Sequence, residues 1–171
     1  RQRTPITLPA TVTIAEGPEG SGKALLFGEK GFVKVPNLPE IDAGKPFTIS
    51  TRVYLPKKQT YVIASQYEPE KEKPKDARDR RRGWSIEIGG QGPSIRLAGA
   101  KGKYISARPG PDYKLQPANW YHLVFTNDGS RDRLGLSVYV NGKLVPTRGT
   151  GEDLEPLESS AVTRSPLLLG N

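Results

Sequence analysis

His122 is the sole histidine among the 171 residues, and cysteine is absent. A serine–histidine–aspartate relay would have to run through His122, whereas thiolate chemistry and cysteine-ligated zinc are closed to this chain. One imidazole cannot make a histidine-rich metal site either. Cleaving a glycosidic bond takes two carboxyl groups about 5–10 Å apart, one acting as acid and the other as base or nucleophile. Residues two apart on a strand share a face and suit that spacing. Glu87 has only Ser85 and Gly89 at that spacing, so it stands alone. Glu68, Glu70 and Glu72 are two apart, but they lie in residues 67–82, where charges of both signs, two prolines and no apolar period predict a long exposed loop. Its Arg80-Arg81-Arg82 end could clamp an anion. The chain is therefore read as non-catalytic.

Two binding chemistries stay open. Calcium takes loop carboxylates and carbonyls, and Asp128, Asp132, Glu152 and Asp153 are the candidates, Asp128 first. Against this, Asn127-Asp128-Gly129-Ser130 is ordinary turn chemistry that an aspartate stabilises by itself. A sugar needs aromatic faces and polar side chains, and an acidic sugar adds a need for arginine, whose planar fork matches a carboxylate or sulfate. Arg52, Tyr54, Glu87, Arg96, Trp120, His122, Tyr139 and Asn141 share the polar sides of predicted strands, and Tyr67 and Trp84 border the charged loop. The plainer account makes the aromatics packing residues and Glu87–Arg96 a cross-strand ion pair.

The elements that carry these residues are strands. Trp120 to Phe125 and Leu134 to Asn141 flank a polar turn, and Leu134, Leu136, Val138 and Val140 alternate inward. Asn141-Gly142 predicts a further reversal. In residues 46–54, Phe47, Ile49, Thr51 and Val53 share one face and Thr48, Ser50, Arg52 and Tyr54 the other. Trp84 to Gly89 and Ser94 to Ala98 predict a hairpin in which Gly89 faces Ser94 and Glu87 faces Arg96, with Trp84, Ile86, Ile88, Ile95 and Leu97 inward. Nineteen glycines, 16 prolines and no convincing helix point to an all-β sandwich or barrel, read as one domain over residues 1–171.

The net charge of +8 attracts phosphate, sulfate and carboxylate partners. No recognition helix or aromatic RNA-binding signature accompanies it, so nucleic acid is not expected. No apolar run approaches the ~20 residues that would span a bilayer. The absence of methionine, even at position 1, predicts a processed or excised segment of a longer protein.

Four stretches carry a family likeness: GKALLFGEKGFVKVP (Gly22 to Pro36), KPFTISTRVYLP (Lys45 to Pro56), NWYHLVFTNDGS (Asn119 to Ser130) and LSVYVNGKLV (Leu136 to Val145), followed by LLLGN. In this order the chain resembles the laminin-G-like branch of the concanavalin A-like lectin/glucanase jelly rolls, found in large exported bacterial proteins, some with cytochrome c-type domains. The resemblance implies a two-sheet antiparallel jelly roll. It also implies a framework role for His122. Arg52 stands where the family usually has an aromatic residue, which favours an anionic ligand over a neutral one. A strand that usually follows the Leu-Gly-Asn is missing, so the sandwich is expected either to be truncated or to be completed by the N-terminal strand or another segment. The function expected is a non-catalytic carbohydrate-binding module for a polysaccharide, with an acidic one favoured. It would bind on the concave sheet or its rim through Arg52, Tyr54, Tyr67, Trp84, Glu87, Arg96 and Tyr139, beside neighbouring domains of an exported protein. A protein-interaction or spacer domain is the alternative, and a glycoside hydrolase or lyase a more distant one.

Overall fold

The computed structural model describes residues 6–18, 20, 22–36, 39–68, 81–148 and 155–170. Thirteen strands lie among them: β1 Val12–Glu16, β2 Lys23–Phe27, β3 Val33–Val35, β4 Phe47–Leu55, β5 Tyr61–Tyr67, β6 Gly83–Gly89, β7 Gly92–Ala98, β8 Tyr104–Pro109, β9 Asn119–Asn127, β10 Leu136–Val140, β11 Lys143–Val145, β12 Thr147–Arg148 and β13 Leu167–Leu169. They form a seven-stranded sheet in the order β12-β8-β7-β6-β5-β13-β3, a four-stranded sheet β11-β10-β9-β4, and a separate β1-β2 hairpin. Each pair is antiparallel, as a jelly-roll sandwich requires. Most of the charged loop falls outside the described residues.

Period-two alternation builds the core. On β9, Leu123 and Phe125 are fully buried, while Trp120, His122 and Val124 point out. Trp84, Ile86 and Ile88 of β6 and Ile95 and Leu97 of β7 join them, with Leu136 and Val138 of β10, in one apolar cluster. Burying each such large side chain contributes about 1.5–3 kcal/mol, so the inward set dominates the fold. β4 and β9 pair along nine residues, setting Arg52 beside His122 and Tyr54 beside Trp120. Asn141 and Gly142 take left-handed φ values of 50° and 79°, making the two-residue turn that joins β10 to β11.

Buried polar groups anchor residues 42–45 to the end of β9. The Asn127 amide Nδ2 donates to the carbonyls of Asp42, Ala43 and Lys45. Asp42 accepts from Ala161 N and the Ser160 hydroxyl, at 3.1 and 3.0 Å. Burial opposes the charge on this carboxyl, yet those hydrogen bonds and the nearby Arg131 guanidinium outweigh it and hold its pKa below the ordinary carboxylate value.

Four features depart from the expectations. β10 begins at Leu136, and Leu134 is 77% exposed in a 3₁₀ turn over Arg133–Gly135. The Asp132 carboxylate accepts from Leu134 N and tightens that turn at the strand's expense. The β6–β7 turn is shorter than predicted: Gly89 faces Gly92, Glu87 faces Ser94, and Arg96 faces Ser85. Gly92 takes a left-handed φ of 91°, and Pro93 enters the strand rather than the turn, so Glu87 and Arg96 are not directly opposed. β12, a strand not anticipated from the sequence, adds an edge to β8. The N-terminal strand completes neither sheet, because β1 pairs with β2 alone.

Candidate functional site

The two sheets divide the predicted ligand residues. Arg52, Tyr54 and Tyr139 lie on the outer face of the four-stranded sheet. Tyr67, Glu87 and Arg96 lie on the outer face of the seven-stranded sheet. Trp84 belongs to neither face. It is 3% exposed in the core, and its indole Nε1 donates to Gln66 Oε1 at 2.9 Å, so no ligand can stack on its ring. The expectation of a ligand contact at Trp84 is corrected on that ground; its even spacing with Ile86 and Ile88 already carries the signal.

Tyr67, Glu87 and Arg96 meet in a depression of about 430 Å³, which Lys34, Arg81 and Ser85 also line. Its floor is one row across the sheet: Lys34 beside Leu168, Leu168 beside Ser65, then Ser85, Arg96 and Ser106. The next row runs from Tyr67 through Gly83 and Ala98 to Tyr104. Small residues at its middle leave the two tyrosines standing apart over a low floor. Gly83 cannot be enlarged, since a Cβ there would clash with the Gln66 carbonyl at 2.0 Å.

Hydrogen bonds order this floor. The Tyr67 hydroxyl donates to Ser85 Oγ at 3.1 Å, and the Ser85 hydroxyl donates to Glu87 Oε1 at 2.8 Å. The Arg81 guanidinium carbon lies 5.2 Å from the Tyr67 ring centroid. The Arg96 guanidinium carbon lies over the Tyr104 ring, 4.0 Å from its centroid, close enough for cation–π attraction. Its Nε is buried and has no hydrogen-bond partner among the described residues. Arg96 as a whole is only half-buried, so an acidic group entering the depression can meet the exposed part of its guanidinium. Tyr104 and Lys34 escaped the sequence reading: their place beside Arg96 depends on strand registers that local periodicity does not reveal.

On the four-stranded face several polar groups bond to one another, and a recess of about 500 Å³ opens at one end beside Thr48, Thr126, Ser137 and Asp128. Tyr54 and Trp120 pack at 5.5 Å between centroids with planes 54° apart. The Ser50 hydroxyl and His122 Nε2 are 2.8 Å apart, and Asn141 Oδ1 accepts from His122 N. His122 is thus tied into the sheet, and among the described residues no carboxylate is hydrogen-bonded to it. Asp128 lies at the recess. Its Oδ1 accepts from Ser130 N at 2.8 Å, and contacts from Ser130, the side-chain one first, hold its pKa below the ordinary value. Among the described residues no three histidine, aspartate or glutamate side chains gather as a metal site; Glu152 and Asp153 lie outside those residues.

Residues 27–171 match the family model described as the concanavalin A-like lectin/glucanases superfamily. The chain belongs to that superfamily. No curated protein sequence matches the chain significantly. Among solved structures, it is similar to the binding domain of Paraclostridial Mosquitocidal Protein 1, with a TM-score of 0.67 and 17% identity over 97% of this chain and 39% of that one. It is similar to a Ruminococcus gnavus sialidase carbohydrate-binding module of type 40, with a TM-score of 0.50 and 13% identity over 74% of this chain and 64% of that one. An endo-β-1,4-glucuronan lyase from Trichoderma reesei has a TM-score of 0.55 and 12% identity over 96% and 77%. The chain thus spans about two fifths of the mosquitocidal domain and under two thirds of the sialidase module. At such identities the likeness is one of fold, and this fold hosts both binding and catalysis.

Proposed function

We propose that this domain is a non-catalytic module that binds an acidic polysaccharide in the depression on its seven-stranded face, within an exported multidomain bacterial protein. The observation that carries the reading is Arg96, held over the Tyr104 ring and half-buried in the lining of a recess that also holds Ser65 and Ser85. A carboxylate or sulfate pairs with the exposed part of that guanidinium. Tyr67 offers a face or hydroxyl to the sugar, and Glu87, held by Ser85, can accept from sugar hydroxyls. The carbohydrate-binding module among its structural relatives supports this reading. Arg52, Tyr54 and Tyr139, on the opposite outer face, take no part in this site.

The test is titration of the domain with galacturonan, alginate and neutral glucan oligomers. Binding of the acidic oligomers, weakened by Arg96→Ala, is expected. Preference for the neutral glucan, or binding indifferent to Arg96→Ala, would overturn the assignment. No reducing or unsaturated ends should accumulate; their release by the wild type and not by Glu87→Gln would make the domain an enzyme.

A further inference from the structure

The depression is one end of a longer cationic track. β8 places Ile105 and Ala107 in the core, so Tyr104, Ser106 and Arg108 share the outer face. Arg108 pairs directly with Arg148 of the edge strand β12. Arg148 turns its guanidinium over Gly110, where a Cβ would stand 3.2 Å from its Nε. Like charges directly opposed across strands repel one another. Among the described residues no carboxylate lies within ion-pair distance of Lys34, Arg96, Arg108 or Arg148. These four cations sit on β3, β7, β8 and β12, and the first and last are the two edges of the sheet. Six interstrand steps of about 4.8 Å put those edges roughly 29 Å apart.

We infer that the seven-stranded face binds an extended, linear polyanionic glycan that lies obliquely across the strands, with successive acidic sugars contacting Lys34 and Arg96 in one row and Arg108 and Arg148 two residues farther along β8 and its partner strand. This rests on the acidic-polysaccharide reading above and adds its length and direction. Arg96 fixes one acidic group tightly; the opposed Arg108–Arg148 pair recruits others, and their mutual repulsion is relieved when an anion sits between them. Affinity therefore grows with oligomer length through added contacts on one chain.

The test is calorimetric titration of the 171-residue chain with oligogalacturonates, a disaccharide and an octasaccharide, at low and moderate salt. The wild type should bind the octamer about tenfold more tightly than the dimer, the scale expected of two exposed charge contacts, and more so at low salt. The double change Arg108→Ala, Arg148→Ala should abolish most of that gain while weakening the dimer far less, and Arg148→Glu should reverse it further. Both positions are on the surface, and removing one of two opposed like charges relieves repulsion, so an unchanged melting temperature is expected. Equal dimer and octamer affinities, or an octamer gain that survives the double change, would overturn the track while leaving the Arg96 site standing. Failure of the wild type to bind either oligomer would overturn both. Equally tight binding of polyuridylate would overturn the glycan assignment in favour of a general polyanion surface.

Discussion

The outer faces of the two sheets carry similar residue types and do opposite things with them. On the four-stranded face, Arg52 is exposed, Ser50 is engaged with His122, and Asn141 with the His122 backbone. On the seven-stranded face, Arg96 is pressed on Tyr104 with a buried donor unmet, and the serines line a recess. The first face ties Ser50, His122 and Asn141 to one another. The second keeps a charged donor in reserve. The arginine count is therefore a weaker guide to a binding face than the state of each guanidinium.

The largest effect that sharpens this contrast lies beneath the seven-stranded face. Trp84→Ala should cost about 3–5 kcal/mol of stability, as loss of a buried aromatic does, measured by urea unfolding. Trp84→Phe should recover much of that stability and still bind acidic oligomers. A Trp84→Phe protein that is stable but cannot bind would place Trp84 in the ligand site after all. Next in size, Arg96→Ala should weaken acidic oligomers roughly tenfold to a hundredfold, the worth of one hydrogen-bonded charge, while Arg52→Ala changes the affinity less than about twofold. Similar losses at both positions would erase the distinction between the faces.

A smaller effect concerns the buried carboxyl behind β9. Because the folded pKa of Asp42 is depressed, its contribution to stability is present above the unfolded value near 3.8 and is lost as pH falls through the folded value. Asp42→Asn should lower stability at neutral pH and flatten the acid limb of the stability profile, read from unfolding midpoints between neutral and acid pH. An unaltered acid limb would show that other carboxyls govern it. Least of all, a chelator should leave binding and melting temperature unchanged, since Asp128 spends its carboxylate on its own turn. A clear fall in either would assign calcium a role.

Much of the sandwich was legible because its signals are local. Alternation in β4 and β9 separates Phe47, Ile49 and Val53 from Arg52 and Tyr54, and the Asn141-Gly142 turn names itself. The inward phase of Trp84, Ile86 and Ile88 was equally plain, and it argued against Trp84 as a ligand contact. What stayed hidden was register. Whether Glu87 faces Arg96 or Ser94 turns on whether Pro93 belongs to the turn or the strand, and no local preference decides it. Tyr104 meets Arg96, and Lys34 joins the same row, through pairings between distant segments. Leu134 shows the converse, an apolar residue in perfect strand phase that an aspartate-stabilised turn pulls out to solvent.

The most direct test of the central claim is a side-by-side calorimetric titration of wild type, Arg96→Ala and Arg52→Ala with an acidic oligosaccharide. Loss of binding in Arg96→Ala with Arg52→Ala close to wild type is the predicted result. Loss in Arg52→Ala with Arg96→Ala unaffected would contradict it and move the site to the four-stranded face.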